Sequence, residues 1–239
     1  MSQARAQLIQ QQLVTAILCG DEQRASDALR LGADPNNFHG GPLSITPLIH
    51  CVRWNRSAMV TLLIENGADP EGGLAGGKSA PLLAAAEYGS LRSSPNIIKA
   101  LLAGGSNPNV TNAQGNNALV ISALNYATCD VLSCLIKAGC PINQPGQSGQ
   151  TALIIYASTG SFQQAGFLLD QAADPYVVDD MGLSAMDYVT VKLDREYQKV
   201  DHDWNGDHVQ AAKFAARLLS EKMLRQTPDA PTRKASVRF

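Results

Sequence analysis

The sequence predicts an all-α solenoid of about six stacked helix pairs. Three observations lead there. The first is a recurring helix ending: "ALRLGADPNN" at 28–37, "LLIENGADPEG" at 62–72, "LLAGGSNPNV" at 101–110, "LIKAGCPINQ" at 135–144 and "LLDQAADPYV" at 168–177. Aligned at Ala33, Ala68, Ser106, Cys140 and Ala173, the copies step by 35, 38, 34 and 33 residues, and a fixed period of this size marks a repeat architecture. The second is a recurring helix start: "TPLIHCVRWN" at Thr46, "APLLAAAEYG" at Ala80, "NALVISALNY" at Asn117, "TALIIYASTG" at Thr151 and "SAMDYVTVKL" at Ser184. Its steps of 34, 37, 34 and 33 residues keep the same register. The third is composition. Hydrophobic residues make up 45 % of the 239 but aromatics only 5 %, which suits closely packed Ala, Leu, Ile and Val helices better than a β-sandwich.

Each element follows from local chemistry. Residues 1–36 are expected to form an N-terminal cap: "LIQQQLVTAILCGDEQRASDALRLGADPN" supplies a helix pair without the Thr-Pro start, with glutamines suited to a solvated face. Residues 37–175 hold four repeats. Thr, Asn or Ser at the helix start can cap the first turn with a side-chain oxygen, and Pro at the next position is pre-set for helix entry. Ala80 has no capping group, though Ser79 beside it has. At the other end, Leu62, Leu63 and Ile64 read as a buried last turn, Gly67 as a C-cap that takes positive φ, and Pro70 as a block to further helix. Leu63 and Ile64, like Leu168 and Leu169, need neighbouring repeats to bury them, and Ala84, Ala85 and Ala86 let helices approach closely. The third repeat carries extra residues at "SLRSSP". Residues 176–225 read as a C-terminal cap with a polar insertion at 193–208. Its last stretch sets Val209, Ala212, Phe214, Ala216 and Leu219 at helical spacing, with Lys213, Arg217 and Lys222 outside. Residues 226–239 are poor in hydrophobics and read as a disordered tail.

The Thr46, Pro47, Leu48 and His50 start, the small residues after it, the glycine, the Leu-Leu pair and "GADPN" together resemble the ankyrin repeat, over about residues 10–190. His50 has no counterpart in the other copies, and Pro141 displaces the usual acidic residue. The resemblance implies antiparallel helix pairs joined by loops or β-hairpins that point sideways. It also implies protein binding through hairpin tips and a concave inner-helix face. By register, the exposed inner-helix pairs are then Arg53 and Trp54, Glu87 and Tyr88, Leu124 and Asn125, and Ser158 and Thr159. The preceding loops offer Phe38, Leu43 and Ile45, then Gln114 and Asn116, Gln147 and Gln150, and Met181 and Leu183. Trp, Tyr and Arg are the residues that most often anchor interfaces, so Trp54, Arg53 and Tyr88 are the expected anchors.

A net charge of −2 gives no reason to expect nucleic-acid or membrane binding, and no apolar run approaches a membrane span. The N-terminus lacks the apolar core of a signal peptide. Five cysteines, Cys19, Cys51, Cys129, Cys134 and Cys140, are an odd set without a CxxC pair, which fits a reducing cytoplasm and reduced thiols. A metal site at Cys129, Cys134 and Cys140 lacks a neighbouring His.

Other motifs carry chemistry less directly. "DHDWNGD" places Asp201, Asp203, Asn205 and Asp207 like the start of a calcium loop, but its twelfth position is Ala212 rather than Glu, and an Asn-Gly turn explains the same residues. The four histidines, His39, His50, His202 and His208, join no G-x-S-x-G, H-E-x-x-H or P-loop phrase. From Lys213 onward the chain is basic, and "RKAS" at 233–236 resembles a kinase site, while Val237, Arg238 and Phe239 offer a terminal carboxylate. The expectation is a cytoplasmic protein, monomeric alone, without enzymatic activity or cofactor, that binds a protein partner. The alternatives are an inhibitor, immunity-type or secreted effector protein that occludes an enzyme, or a calcium-dependent or enzymatic activity in 193–208.

Overall fold

The computed structural model describes residues 3–37, 45–72, 80–87, 95–197 and 213–216, with side chains described to residue 191 in the long helix that ends the fourth of these segments. The helices are α1 (Gln3–Cys19), α2 (Glu22–Arg30), α3 (Pro47–Arg53), α4 (Ser57–Glu65), α5 (Pro81–Glu87), α6 (Pro95–Ala103), α7 (Ala118–Leu124), α8 (Cys129–Lys137), α9 (Ala152–Thr159), α10 (Phe162–Asp170) and α11 (Ala185–Tyr197). Consecutive helices pair from α1·α2 to α9·α10. The odd-numbered helices form one row, each touching the next, and α2, α4, α6 and α8 form a second row behind it. No strand is present among the described residues; two isolated antiparallel bridges, Thr111 with Asn117 and Val178 with Ser184, close short hairpins ahead of α7 and α11. Helix α11 runs to Tyr197, past the start of the stretch read as a polar insertion.

The two rows bury differently. Residues 47–52, 81–86, 118–123 and 152–157 are buried on every side, as expected for helices wedged between two neighbours and a back row. The back-row helices bury one stripe each, such as Met59, Val60 and Leu63 in α4 or Ile97, Ile98 and Leu101 in α6. Leu63 is fully buried, whereas Leu62 and Ile64 are half-buried. Ile64 reaches sideways instead: a Cβ on Gly104 would stand 2.6 Å from its Cγ2, so a glycine is needed there.

Helix starts and stops follow the expected chemistry. Thr46, Asn117 and Thr151 cap α3, α7 and α9 by accepting from the amide N–H groups of Ile49, Val120 and Ile154. At the other end the chain turns left-handed at Gly67, and Ala68 N–H donates back to Leu63 O at 2.9 Å. The same bond recurs from Ala33, Ser106, Cys140 and Ala173, and all five of these residues are buried, which explains why the position is always small. Ala172 takes the left-handed position in the last copy, with φ +65°.

The order Ala-Asp-Pro then has a lateral cause. Asp69 Oδ1 accepts from Glu71 N–H and rigidifies the loop, while Asp69 N–H donates to Asn36 Oδ1 of the preceding repeat at 2.7 Å. Glu71 does the same for Asn107 N–H at 2.7 Å, and Asn143 for Asp174 N–H at 2.8 Å. Gln10 on α1 starts the ladder at Asp34 N–H. Pro141 has no N–H to donate, so the rung from Asn109 is missing.

Candidate functional site

The surface that the sequence singles out is built at the C-terminal ends of α3, α5, α7 and α9, where the chain leaves the inner row. Three exit residues have left-handed φ, Asn55, Tyr126 and Gly160, and of the side chains before them Trp54 and Thr159 are exposed. Trp54 is 62 % exposed and stacks on His50, with ring centroids 6.0 Å apart and planes 30° from parallel. His50 is buried; burial, then the charges of Arg56 and Arg53, hold its imidazole below the ordinary histidine range. Arg53 and Glu87 are exposed. Arg56 turns away from this face and caps α1, donating to Ile17 O and to Leu18 O, the latter at 3.0 Å.

The second part of the surface is a row of tight turns at 112–117, 146–151 and 179–184. Asn112 Oδ1 accepts from the N–H groups of Gln114 and Asn116, and Asp179 Oδ1 accepts from those of Met181 and Leu183. Between them Gly146 replaces the Asx residue, because Asn116 already fills the space: a Cβ at 146 would stand 2.2 Å from Asn116 Oδ1. Asn116 Oδ1 accepts from Gln147 N–H at 2.6 Å, and Asp180 N–H donates to Ser148 O at 3.1 Å, so the three turns are hydrogen-bonded side by side. Burial pushes the Asp179 carboxyl up, but hydrogen bonds from Tyr188, Leu183, Met181 and Gln150 outweigh it and hold the group below the usual range. At the tips Gln114 and Gln147 are exposed, and Met181 is 78 % exposed.

The structure sorts the expected binding residues. Trp54, Arg53, Glu87, Gln114, Gln147 and Met181 lie on the surface. Ile45 and Asn116 do not: Ile45 is buried ahead of the Thr46 cap, and Asn116 is spent on Gln147. Asn125 is half-buried and donates from Nδ2 to Ile121 O, and Gln150 is half-buried beside Asp179. Phe38, Leu43 and Tyr88 lie outside the described residues, as do the stretch at 201–207 and the basic tail beyond Ala216. At the C-terminal end Phe214 is buried against Phe162, centroids 5.6 Å apart, with Ala215 buried and Ala216 exposed, the reverse of the inward place expected for Ala216.

One residue escaped the sequence reading. Tyr126 is 57 % exposed, beside Leu124 at 48 %, and stands in left-handed backbone at φ +55°. Asn55 and Gly160 occupy the same register and tolerate that conformation; a bulky tyrosine there costs roughly 1–2 kcal/mol. The signal was legible as a Tyr aligned with Asn and Gly.

Among the described residues no group of three or more His, Cys, Asp or Glu side chains could hold a metal ion, and no helix is long and apolar enough to cross a membrane. Profiles of ankyrin repeats match residues 82–179, as three copies, and residues 45–71. The chain is 27 % identical over 188 residues to the ankyrin repeat protein nuc-2 of Neurospora crassa, a match that covers 77 % of this chain and 16 % of that protein. It is 37 % identical over 62 residues to an L-asparaginase of Dirofilaria immitis, covering 26 % of this chain and 10 % of that protein. The chain therefore corresponds to less than a fifth of the length of either curated relative.

Proposed function

The chain belongs to the ankyrin repeat family, and from that premise we propose that it is a non-catalytic module that binds a protein partner through its inner-helix face and turn tips. Ankyrin repeats generally mediate protein–protein interaction. The observation that carries the reading here is Trp54, 62 % exposed at the end of α3, where core packing does not require it. A Trp held by stacking on a buried His50 is an ordered aromatic surface, and little side-chain freedom is lost when a partner covers it. The stacked turns support the same reading, since their tips are fixed before any partner arrives. Within this proposal Trp54, Arg53 and Tyr88 are the anchors, with Glu87, Gln114, Gln147 and Met181 supplying specificity. Phe38 and Leu43 complete the N-terminal loop. The protein acts in the cytoplasm as a monomer with reduced thiols.

Affinity capture from native cell extract tests it, with wild type compared against Trp54→Ala/Tyr88→Ala. Circular-dichroism melts first establish that both fold equally. A partner retained by wild type and lost from the double variant is the expected result; equal capture by both overturns the assignment of the anchors.

A further inference from the structure

We propose that Tyr126, with Leu124, Glu87 and Asp130, forms a docking point for a basic segment of the protein partner, a Lys or Arg side chain lying over the Tyr126 ring. This rests on the inner-face reading above and gives it a chemistry. Tyr126 is the central observation. Gly160 holds the same left-handed exit position in the next repeat and Asn55 in the repeat two before, and both suit it; tyrosine does not. The ring is 57 % exposed, so burial in the core does not compensate the backbone cost. A strained residue that its own fold does not use points to a use outside the fold.

The surroundings define what the ring would meet. Leu124 beside it adds an exposed apolar surface, 48 % accessible. Glu87 and Leu124 are the last residues of α5 and α7, helices that pack against one another, so the Glu87 carboxylate stands one helix away, about 8–10 Å between axes. Asp130 is exposed in the first turn of α8, four residues beyond Tyr126. Among the described residues neither carboxylate sits in an ion pair. An exposed aromatic face with one carboxylate on the neighbouring helix and another four residues along the chain attracts a cation through both the ring quadrupole and charge, and exposed Leu124 suits the apolar stem of the same side chain. The charge pattern disfavours an acidic segment at this point, while Arg53 beside Trp54 leaves the far end of the face basic.

The test is selection of a randomised 12-residue peptide library displayed on phage against the full chain. The expected winners carry Arg or Lys next to an apolar residue. Their affinity falls about tenfold or more for Tyr126→Asn, as for an interface anchor. Glu87→Gln/Asp130→Asn weakens them less and flattens their salt dependence. Tyr126→Asn nevertheless melts about 2–4 °C higher than wild type, because the backbone strain is relieved. Ala172→Gly, which relieves strain away from this face, also melts higher but leaves peptide affinity unchanged. Winners that are acidic or uncharged, an empty selection, or full affinity for Tyr126→Asn overturn the proposal. If peptides lose binding on Trp54→Ala but not on Tyr126→Asn, only the docking point falls; if they ignore both changes, the inner-face reading falls with it.

Discussion

Gly146 shows how a single position is set by its neighbours. Its φ of −103° is open to any residue, so space and not backbone freedom keeps it glycine. A methyl group there would overlap Asn116 Oδ1 and stand 2.8 Å from Val120 Cγ1. Gly146→Ala should therefore destabilise by about 1–3 kcal/mol, read as a lower urea midpoint with unchanged slope. His50 gives a pH-dependent counterpart. Its folded-state pKa is depressed by burial and by Arg56 and Arg53, so the neutral form is the one the fold holds. The contribution is fully present above the unfolded value of about 6.5 and is lost as pH falls below it. Melts between pH 7.5 and 5.5 should show wild type losing stability and His50→Gln losing less. The two wrong surface assignments, Ile45 and Asn116, also belong to this scale. Register placed both on the loops correctly, but whether a loop side chain points out or into the next turn depends on residues a repeat away. Asn116 is claimed by Gln147, and nothing within its own repeat announces that.

Helix starts and stops were legible because their chemistry is local. Thr46, Asn117 and Thr151 bond amides three residues ahead, and the left-handed turn at Gly67 is closed five residues back. The lateral bonds were not legible, since each joins loops about one repeat apart. Asn36 is the clearest test: it accepts from Asp69 N–H and donates from Nδ2 to Gly67 O. Asn36→Ala should cost about 1–2 kcal/mol, measured by denaturant unfolding, because two bonds are lost and one amide is left without its acceptor. Arg56 makes the corresponding link at the N-terminal end. With Arg56→Ala the last carbonyls of α1 lose their donor, and amide hydrogen exchange should rise in α1 and α2 while α9 and α10 stay protected. In the core, Leu168→Ala at a fully buried site should cost about 2–5 kcal/mol.

At the scale of the whole chain, stacking sets the shape and limits what is left for a surface. One continuous core runs from Ile9 to Ala215, and α3, α5, α7 and α9 are each buried along six consecutive residues, leaving only their last residues for solvent. The proposed binding surface is therefore short of material: every exposed aromatic at a helix exit is conspicuous, and Trp54 and Tyr126 are the two among the described residues. The periodicity made the solenoid legible from sequence, since five endings and five starts recur in one register. The proposed partner chemistry was less so, because it depends on Glu87 of one repeat and Leu124 and Tyr126 of the next.

The measurement that tests this most directly is site-specific photo-crosslinking in native extract, with the crosslinker placed at position 54 on the inner face or at position 99 on the exposed side of α6. A protein adduct that forms from position 54 and not from position 99 is the predicted result. Equal adducts from both positions, or an adduct from position 99 alone, would contradict the inner-face account.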